Sequence, residues 1–191
     1  MILGIIGGIA CGKSTFAKLF SAYRRVPYFD MDFISKVIMH NNEKELRILC
    51  NNYGLKENEH YHIFLKREFF KPENKSLKKS IEDFVMDKFP AYMEEIQEVY
   101  GCDLIIESFS FRKKDEYLFD YFVEVTASDK VRRVRMKERG YSDNEIDAKI
   151  LAQKTMNKPS AFYTVDTTDK MVYDLIKDID KLSELGKQLT N

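Results

Sequence analysis

The stretch Gly7-Gly8-Ile9-Ala10-Cys11-Gly12-Lys13-Ser14-Thr15 decides how the chain is read. It fits G-x-x-x-x-G-K-[ST], a pattern in which successive backbone N–H groups cradle nucleotide phosphates. Before it, Ile2, Leu3, Ile5 and Ile6 form the short apolar run of a buried parallel strand. After it, Phe16, Leu19, Phe20 and Tyr23 fall at i, i+3, i+4 and i+7, the apolar face of a helix. Strand, glycine loop and helix is the context that gives the pattern meaning. The helix turns its positive end to the phosphates. Gly7 and Gly12 permit backbone angles and a close approach that a Cβ would hinder. Lys13 is expected to bridge the β- and γ-phosphates and Ser14 to ligate Mg²⁺. Gly8, Ile9, Ala10, Cys11, Gly12 and Thr15 complete the cradle. Cys11 is expected to be thiol-reactive, because a helix N-terminus lowers a thiol pKa.

Length and composition bound the rest. With 191 residues the chain has room for one α/β domain carrying a helical insertion, and 44% apolar residues supply a real core. Lys plus Arg equals Asp plus Glu at 31 each, so nothing in the overall charge favours a nucleic-acid partner. Cys11, Cys50 and Cys102 are an odd set without C-x-x-C spacing. That argues against a disulfide framework or a zinc site and suits a reducing compartment. A cytoplasmic protein is therefore expected. No apolar run approaches the ~18 residues of a membrane span, and with a glycine loop beginning at Gly7 no secretory leader is expected.

Outward from the loop, Val26 to Asp32 reads as a short strand ending in Asp30-Met31-Asp32, with Pro27 tolerable only near a strand's start or on an edge. Ligands of open parallel sheets bind beyond the carboxyl ends of the strands. If this strand lies beside the first, both carboxylates face the phosphates. One would serve as base for an attacking hydroxyl, the other would hold Mg²⁺ through water. The alternative is a polar strand end capping the next helix. From about 41 to 100 the pattern is helical and charged, with Pro90 ending or kinking a helix near Phe89. Such a long connection exceeds what a crossover needs, and points to a helical insertion that binds the acceptor.

Asp103 to Glu107 and Tyr121 to Val125 read as the third and fourth strands, and Glu107 is a candidate for Mg²⁺ or its water shell. In the basic run from Lys130 to Gly140, Arg135 and Arg139 share one helical face and Arg132 lies near it. Beside a phosphate site such groups can clamp phosphate oxygens. Ser142 and Glu145 form a capping box, and the two helices about Gly140 read as a mobile lid over about 130–157. Phe162 to Val165 is the fifth strand, and the loop after it, from Asp166 and Thr167, is placed to meet the adenine edge. The expected fold is a P-loop NTPase-type three-layer α/β/α domain over 1–191. It has about five parallel strands, the helical insertion and the helical lid.

These motifs resemble the dephospho-CoA kinase family of P-loop kinases. Gly7-Gly8-Ile9-x-x-Gly12-Lys13-Ser14-Thr15 is similar to its opening loop, with Ala10 and Cys11 in place of Gly and Ser. Asp30-Met31-Asp32 is similar to its D-x-D, whose second acid is taken as the catalytic base. Arg67 stands 22 positions before Phe89, the spacing of the family's insertion arginine from its His-Pro pair, here Phe89-Pro90. Arg135-x-x-x-Arg139 and Ile150-Leu151-Ala152-Gln153 look like its lid, and Val165-Asp166-Thr167 its adenine loop. The resemblance implies phosphoryl transfer from ATP, with Mg²⁺, to the ribose 3′-hydroxyl of dephospho-CoA, the last step of coenzyme A biosynthesis. It implies Asp32, Lys13 and Arg139 as catalytic residues. Arg135, Arg139, Asp166 and Thr167 join the loop in holding ATP, Asp30, Asp32 and Arg67 meet the substrate, and Ser14 holds the metal. A monomer or weak homo-oligomer acting on a small molecule, without nucleic acid or membrane, is expected.

Three other readings compete. One is another small-molecule or nucleoside monophosphate kinase. Another is a nucleotide-binding protein without turnover. A third is a GTP-dependent switch, for which Asn157-Lys158-Pro159-Ser160 lacks the guanine-reading Asp of N-K-x-D.

Overall fold

The computed structural model describes residues 1–69, 71–101, 103–154 and 158–189. Cys102 and the end of the expected lid, 155–157, lie outside the described residues. The chain separates into two compact units, 1–31 with 100–191, and 32–99.

The first unit is built on five parallel strands: β1 (Ile2–Gly7), β2 (Tyr28–Asp30), β3 (Leu104–Glu107), β4 (Tyr121–Thr126) and β5 (Tyr163–Asp166). Their order is β2-β3-β1-β4-β5, with helices on both sides of the sheet. Every residue of β1 is buried, as befits a central parallel strand. The strand that ends in Asp30 does not lie beside β1. It pairs with β3 at the sheet edge, where three half-buried residues preceded by Pro27 are tolerable. Its register sets Asp30 opposite Glu107 at the carboxyl end of the sheet.

Side-chain alternation sorts the sheet into two faces. Leu3, Ile5, Ile105, Val123, Val125 and Val165 pack with Phe16, Ala17 and Phe20 of α1 (Lys13–Arg24) and Leu175, Ile179 and Leu182 of α8 (Val172–Leu189). On the alternate positions Gly4 leaves room for the Phe122 ring, which packs on Phe119 and Phe111 at centroid distances of 4.9 and 5.7 Å. The stretch expected to form the lid holds two helices, α6 (Asp129–Glu138) and α7 (Asp143–Lys154). Ser142 starts α7 as the capping box requires: its hydroxyl donates to Glu145 Oε2 at 2.7 Å, and its backbone N–H donates there at 2.8 Å.

The second unit is helical: α2 (Met31–Asn41), α3 (Glu43–Asn51), α4 (Tyr61–Glu68) and most of α5 (Lys75–Tyr100). Its core joins Leu46, Cys50, Leu55, Phe64, Leu65, Leu77 and Ile81. Pro90 does not end α5, which runs through it. A proline inside a helix costs about 3 kcal/mol. Phe89, Met93 and Ile96 are all buried on the same helix, and each such burial is worth about 1.5–3 kcal/mol, enough to carry the helix past its missing amide.

A methyl at Gly4 would overlap the Phe122 ring and press on Phe119 Cδ1 at 3.1 Å. Gly4→Ala should therefore destabilise the protein by about 1–3 kcal/mol, the usual cost of overpacking. Urea unfolding with an unchanged m-value checks it, and an unchanged midpoint would contradict the packing described.

Candidate active site

β1 delivers the chain into the loop at Gly7, and α1 carries it away from Gly12. Gly7 (φ 152°) and Gly12 (φ 93°) both take positive φ. A Cβ at Gly7 would collide with the Val125 carbonyl, and one at Gly12 would stand 3.2 Å from Thr167 Oγ1. The Phe16 N–H bonds to the Gly12 carbonyl at 2.9 Å, starting α1 there. Ala10 is also left-handed, at φ 58°, which costs a residue with a Cβ about 1–2 kcal/mol. The strain is offset by packing, since Ala10 is buried against Met136, Ile146 and Ile150 of the lid. Ala10 thus ties the loop to α6 and α7.

Glu107 is the acidic centre of the site. Only 7% exposed, it accepts Ser14 Oγ at 3.0 Å on Oε1 and Tyr28 Oη at 2.6 Å on Oε2. Lys13 Nζ lies 3.9 Å from Oε1 and donates to the Gly8 carbonyl at 3.1 Å. Burial first, then the adjoining Glu107 carboxylate, pushes the Tyr28 phenol well above its ordinary pKa, so it stays a donor. Sequence reading flagged Glu107 as a metal candidate but missed Tyr28. The available signal was its position two residues before Asp30 on the same strand, hence on the same side.

The oxygens of Ser14 and Glu107, side by side, are the hard donors Mg²⁺ takes. Among the described residues no group of three His, Cys, Asp or Glu side chains is placed for a metal. A cation that keeps several waters and uses phosphate oxygens needs no such group.

The lid arginines divide their work. Arg132 donates to the Ile9 carbonyl at 3.0 Å and to Gln153 Oε1 at 2.8 Å, and that same oxygen accepts the Ile9 N–H at 3.0 Å. Arg135 donates to the Ala10 carbonyl at 3.2 Å and to the Thr167 hydroxyl and carbonyl at 3.0 Å each. Arg139 is exposed at the C-cap of α6, without a side-chain hydrogen bond or ion pair among the described residues. Arg132 and Gln153 are therefore as much part of the site as Arg135. Spacing marks a shared face but not the partner it meets.

The residues expected to meet adenine are also engaged. Thr167, buried, donates its hydroxyl to the Cys11 carbonyl at 2.7 Å. Asp166 folds back on Thr168, accepting its hydroxyl at 2.6 Å and its N–H at 2.9 Å, and those bonds hold its carboxyl below the usual range.

Within the second unit, Asp32 lies in the first turn of α2 and lines a cavity of about 610 Å³. Met39, Leu65, Ile81 and Val85 give that cavity apolar walls, and Lys36, Lys66 and Lys78 line it as well. The Arg67 guanidinium is engaged by Glu59 and Glu68.

The model of the dephospho-CoA kinase family (CoaE) matches residues 1–165. The chain belongs to this family. The dephospho-CoA kinase of Bdellovibrio bacteriovorus is 22% identical over 201 residues, spanning 99% of this chain and 98% of its own. Among solved structures, TT1252 from Thermus thermophilus is 25% identical with a TM-score of 0.69, covering 97% of both chains. The dephospho-CoA kinase from Campylobacter jejuni is 21% identical with a TM-score of 0.63, covering 100% of this chain and 98% of that one, a likeness of fold.

The expectation of a reactive Cys11 is overturned. Its side chain is 1% exposed, and burial pushes the thiol pKa up despite Lys13 and Arg132 nearby. Cys50 is equally buried, with its thiol pushed up to about 11. In a Cys102→Ser variant, DTNB at neutral pH should therefore label the native protein at least about a hundredfold more slowly than the urea-unfolded chain, since the thiolate is the nucleophile. Rapid labelling of one thiol in the native state would contradict this.

Proposed function

We propose that this member of the dephospho-CoA kinase family moves the γ-phosphoryl of ATP to the ribose 3′-hydroxyl of dephospho-CoA, giving ADP and CoA. The amides of Gly8 to Thr15, other than those of Ile9 and Cys11, which are given to Gln153 and the Gly8 carbonyl, and the Lys13 ammonium hold the β- and γ-phosphates. Ser14 and Glu107 would hold Mg²⁺, which when bound neutralises charge on the phosphates. Asp32 accepts the hydroxyl proton as the 3′-oxygen bonds to phosphorus and the bond to the ADP oxygen breaks. Arg139, whose donors are free among the described residues, stabilises charge on the transferring group. Arg132 and Arg135 shape the loop and orient it. Asp30, in register with Glu107 at the carboxyl end of the sheet, meets the substrate.

The observation that carries this reading is Asp32 in the wall of an apolar, lysine-lined cavity, in a chain whose family is known for this acceptor. Dephospho-CoA has the matching parts: apolar stretches, a pyrophosphate and the reacting hydroxyl. The enzyme acts on this small molecule in the cytoplasm as a monomer or weak homo-oligomer. The balanced charge supports the lack of a nucleic-acid partner, and no described helix is long and apolar enough to cross a membrane.

Incubation with ATP, Mg²⁺ and dephospho-CoA should yield a 3′-phosphomonoester by phosphorus NMR, with little turnover of nucleoside monophosphates or shikimate. Preference for one of those acceptors would overturn the reading. Asp32→Asn should lower kcat by about 10²–10⁴, the range for a general base, and leave ATP affinity nearly unchanged. Near-normal turnover of that variant would remove Asp32 as the base.

A further inference from the structure

We infer that Lys36, Lys66 and Lys78 hold the pyrophosphate of the acceptor, and that Arg67 is a strut of the helical unit. This rests on the reading that the Asp32 cavity takes dephospho-CoA.

The three lysines come from three helices, α2, α4 and α5, and all line the one cavity. Lys36 follows Asp32 by four positions on α2, so the two share a helix face. Neither Lys36 nor Lys66 makes a hydrogen bond or ion pair among the described residues. Lys78 has one long ion pair, 3.8 Å to Glu82, between side chains 53% and 58% exposed. Such a solvated pair holds its lysine weakly. The Lys78 ammonium also lies 5.9 Å from the centre of the Phe69 ring, on the same cavity wall. The cavity's carboxylates, Asp32 and Glu82, are outnumbered by these cations. An apolar pocket with unspent ammonium groups suits a ligand whose apolar arm and adenine are joined by a doubly charged pyrophosphate, and lysine binds phosphate as a point charge.

Arg67 is differently placed. Its Nε donates to Glu68 Oε1 at 2.7 Å, and both terminal nitrogens donate to the Glu59 carboxylate. Glu68 in turn gathers Lys71 and Asn74 at 2.9 Å each. The guanidinium also rests 5.6 Å from the Phe64 ring, whose side chain is in the unit's core. To bind a phosphate Arg67 would have to abandon two carboxylates. Its spacing from Phe89 matches that of a ligand-binding arginine, but its bonds are those of a residue pinning the Glu59 turn to α4.

Steady-state kinetics of the full chain test this, using Lys→Met to keep the apolar stem and remove the charge. The Lys66→Met/Lys78→Met variant should raise KM for dephospho-CoA about tenfold or more, the worth of one to two charged hydrogen bonds. Its kcat and KM for ATP should stay within about twofold, and its kcat/KM for adenosine, which lacks pyrophosphate, should not fall. Lys36→Met should raise KM in the same sense, and Lys→Arg at each position should restore it. Arg67→Ala should lower the thermal midpoint and shift KM less than the lysine pair does. Silent lysine variants, or a larger KM rise in Arg67→Ala, would overturn the inference. If the wild-type chain does not phosphorylate dephospho-CoA, the functional reading fails separately. Calorimetric binding of dephospho-CoA to the same variants then decides: lysine-dependent affinity supports the inference, and lysine-independent or absent binding overturns it.

Discussion

The structure depends on a backbone that must pass through left-handed angles between the end of β1 and the start of α1. Only that path lets consecutive peptide N–H groups converge on one anion. It leaves no room: a side chain at Gly7 would strike β4, and one at Gly12 would crowd Thr167. The bracing of the loop is correspondingly dense. Glu107 holds it through Ser14 and Lys13 from β3, Thr167 holds the Cys11 carbonyl from the β5 end, and Arg132 and Arg135 hold the Ile9 and Ala10 carbonyls from the lid. A loop built to donate its N–H groups has its carbonyls satisfied by cations and hydroxyls behind it. The Ile9 N–H is given to Gln153 and that of Cys11 turns back to the Gly8 carbonyl; these bonds hold the backbone that carries the remaining donors, as pre-organised electrostatic stabilisation requires.

The charges follow the same logic. Arg132 and Arg135 are spent on the scaffold, Arg139 is not, and Lys13 hangs between a carbonyl and a buried carboxylate. A tyrosine held protonated by burial serves Glu107 on its other oxygen, so each oxygen of the carboxylate accepts a hydroxyl beside Lys13. Ala10 shows the compromise most clearly. Its methyl strains the turn but anchors the two lid helices, so a local rule is broken for a gain in packing.

Much of this was legible in the sequence. The loop, its flanking strand and helix, the strand end at Glu107 and the capping box at Ser142 all rest on local pattern, which a sequence states directly; the strand expected to run to Asp32 instead stops at Asp30, and Asp32 falls in the first turn of α2. The order of the strands was not legible, since β3 intervenes between β1 and β2 through pairings between residues far apart in the chain, such as Ile2 with Leu104 and Tyr28 with Ile105. Of an ending or a kink at Pro90, the ending does not occur, because helix propensity is a weak term beside the burial of Phe89 and Met93. Cys11 misled because the helix-end argument presumes solvent access, and burial won. For Arg67 and Arg135, spacing located the residue but could not show which oxygens its guanidinium would find. That information belongs to the tertiary fold.

Calorimetry with a non-hydrolysable ATP analogue and Mg²⁺ tests the central claim most directly. The account predicts saturable binding of one nucleotide per chain, weakened about tenfold or more by Lys13→Ala through loss of charge-assisted phosphate contacts. No detectable binding, or binding indifferent to Lys13, would contradict it.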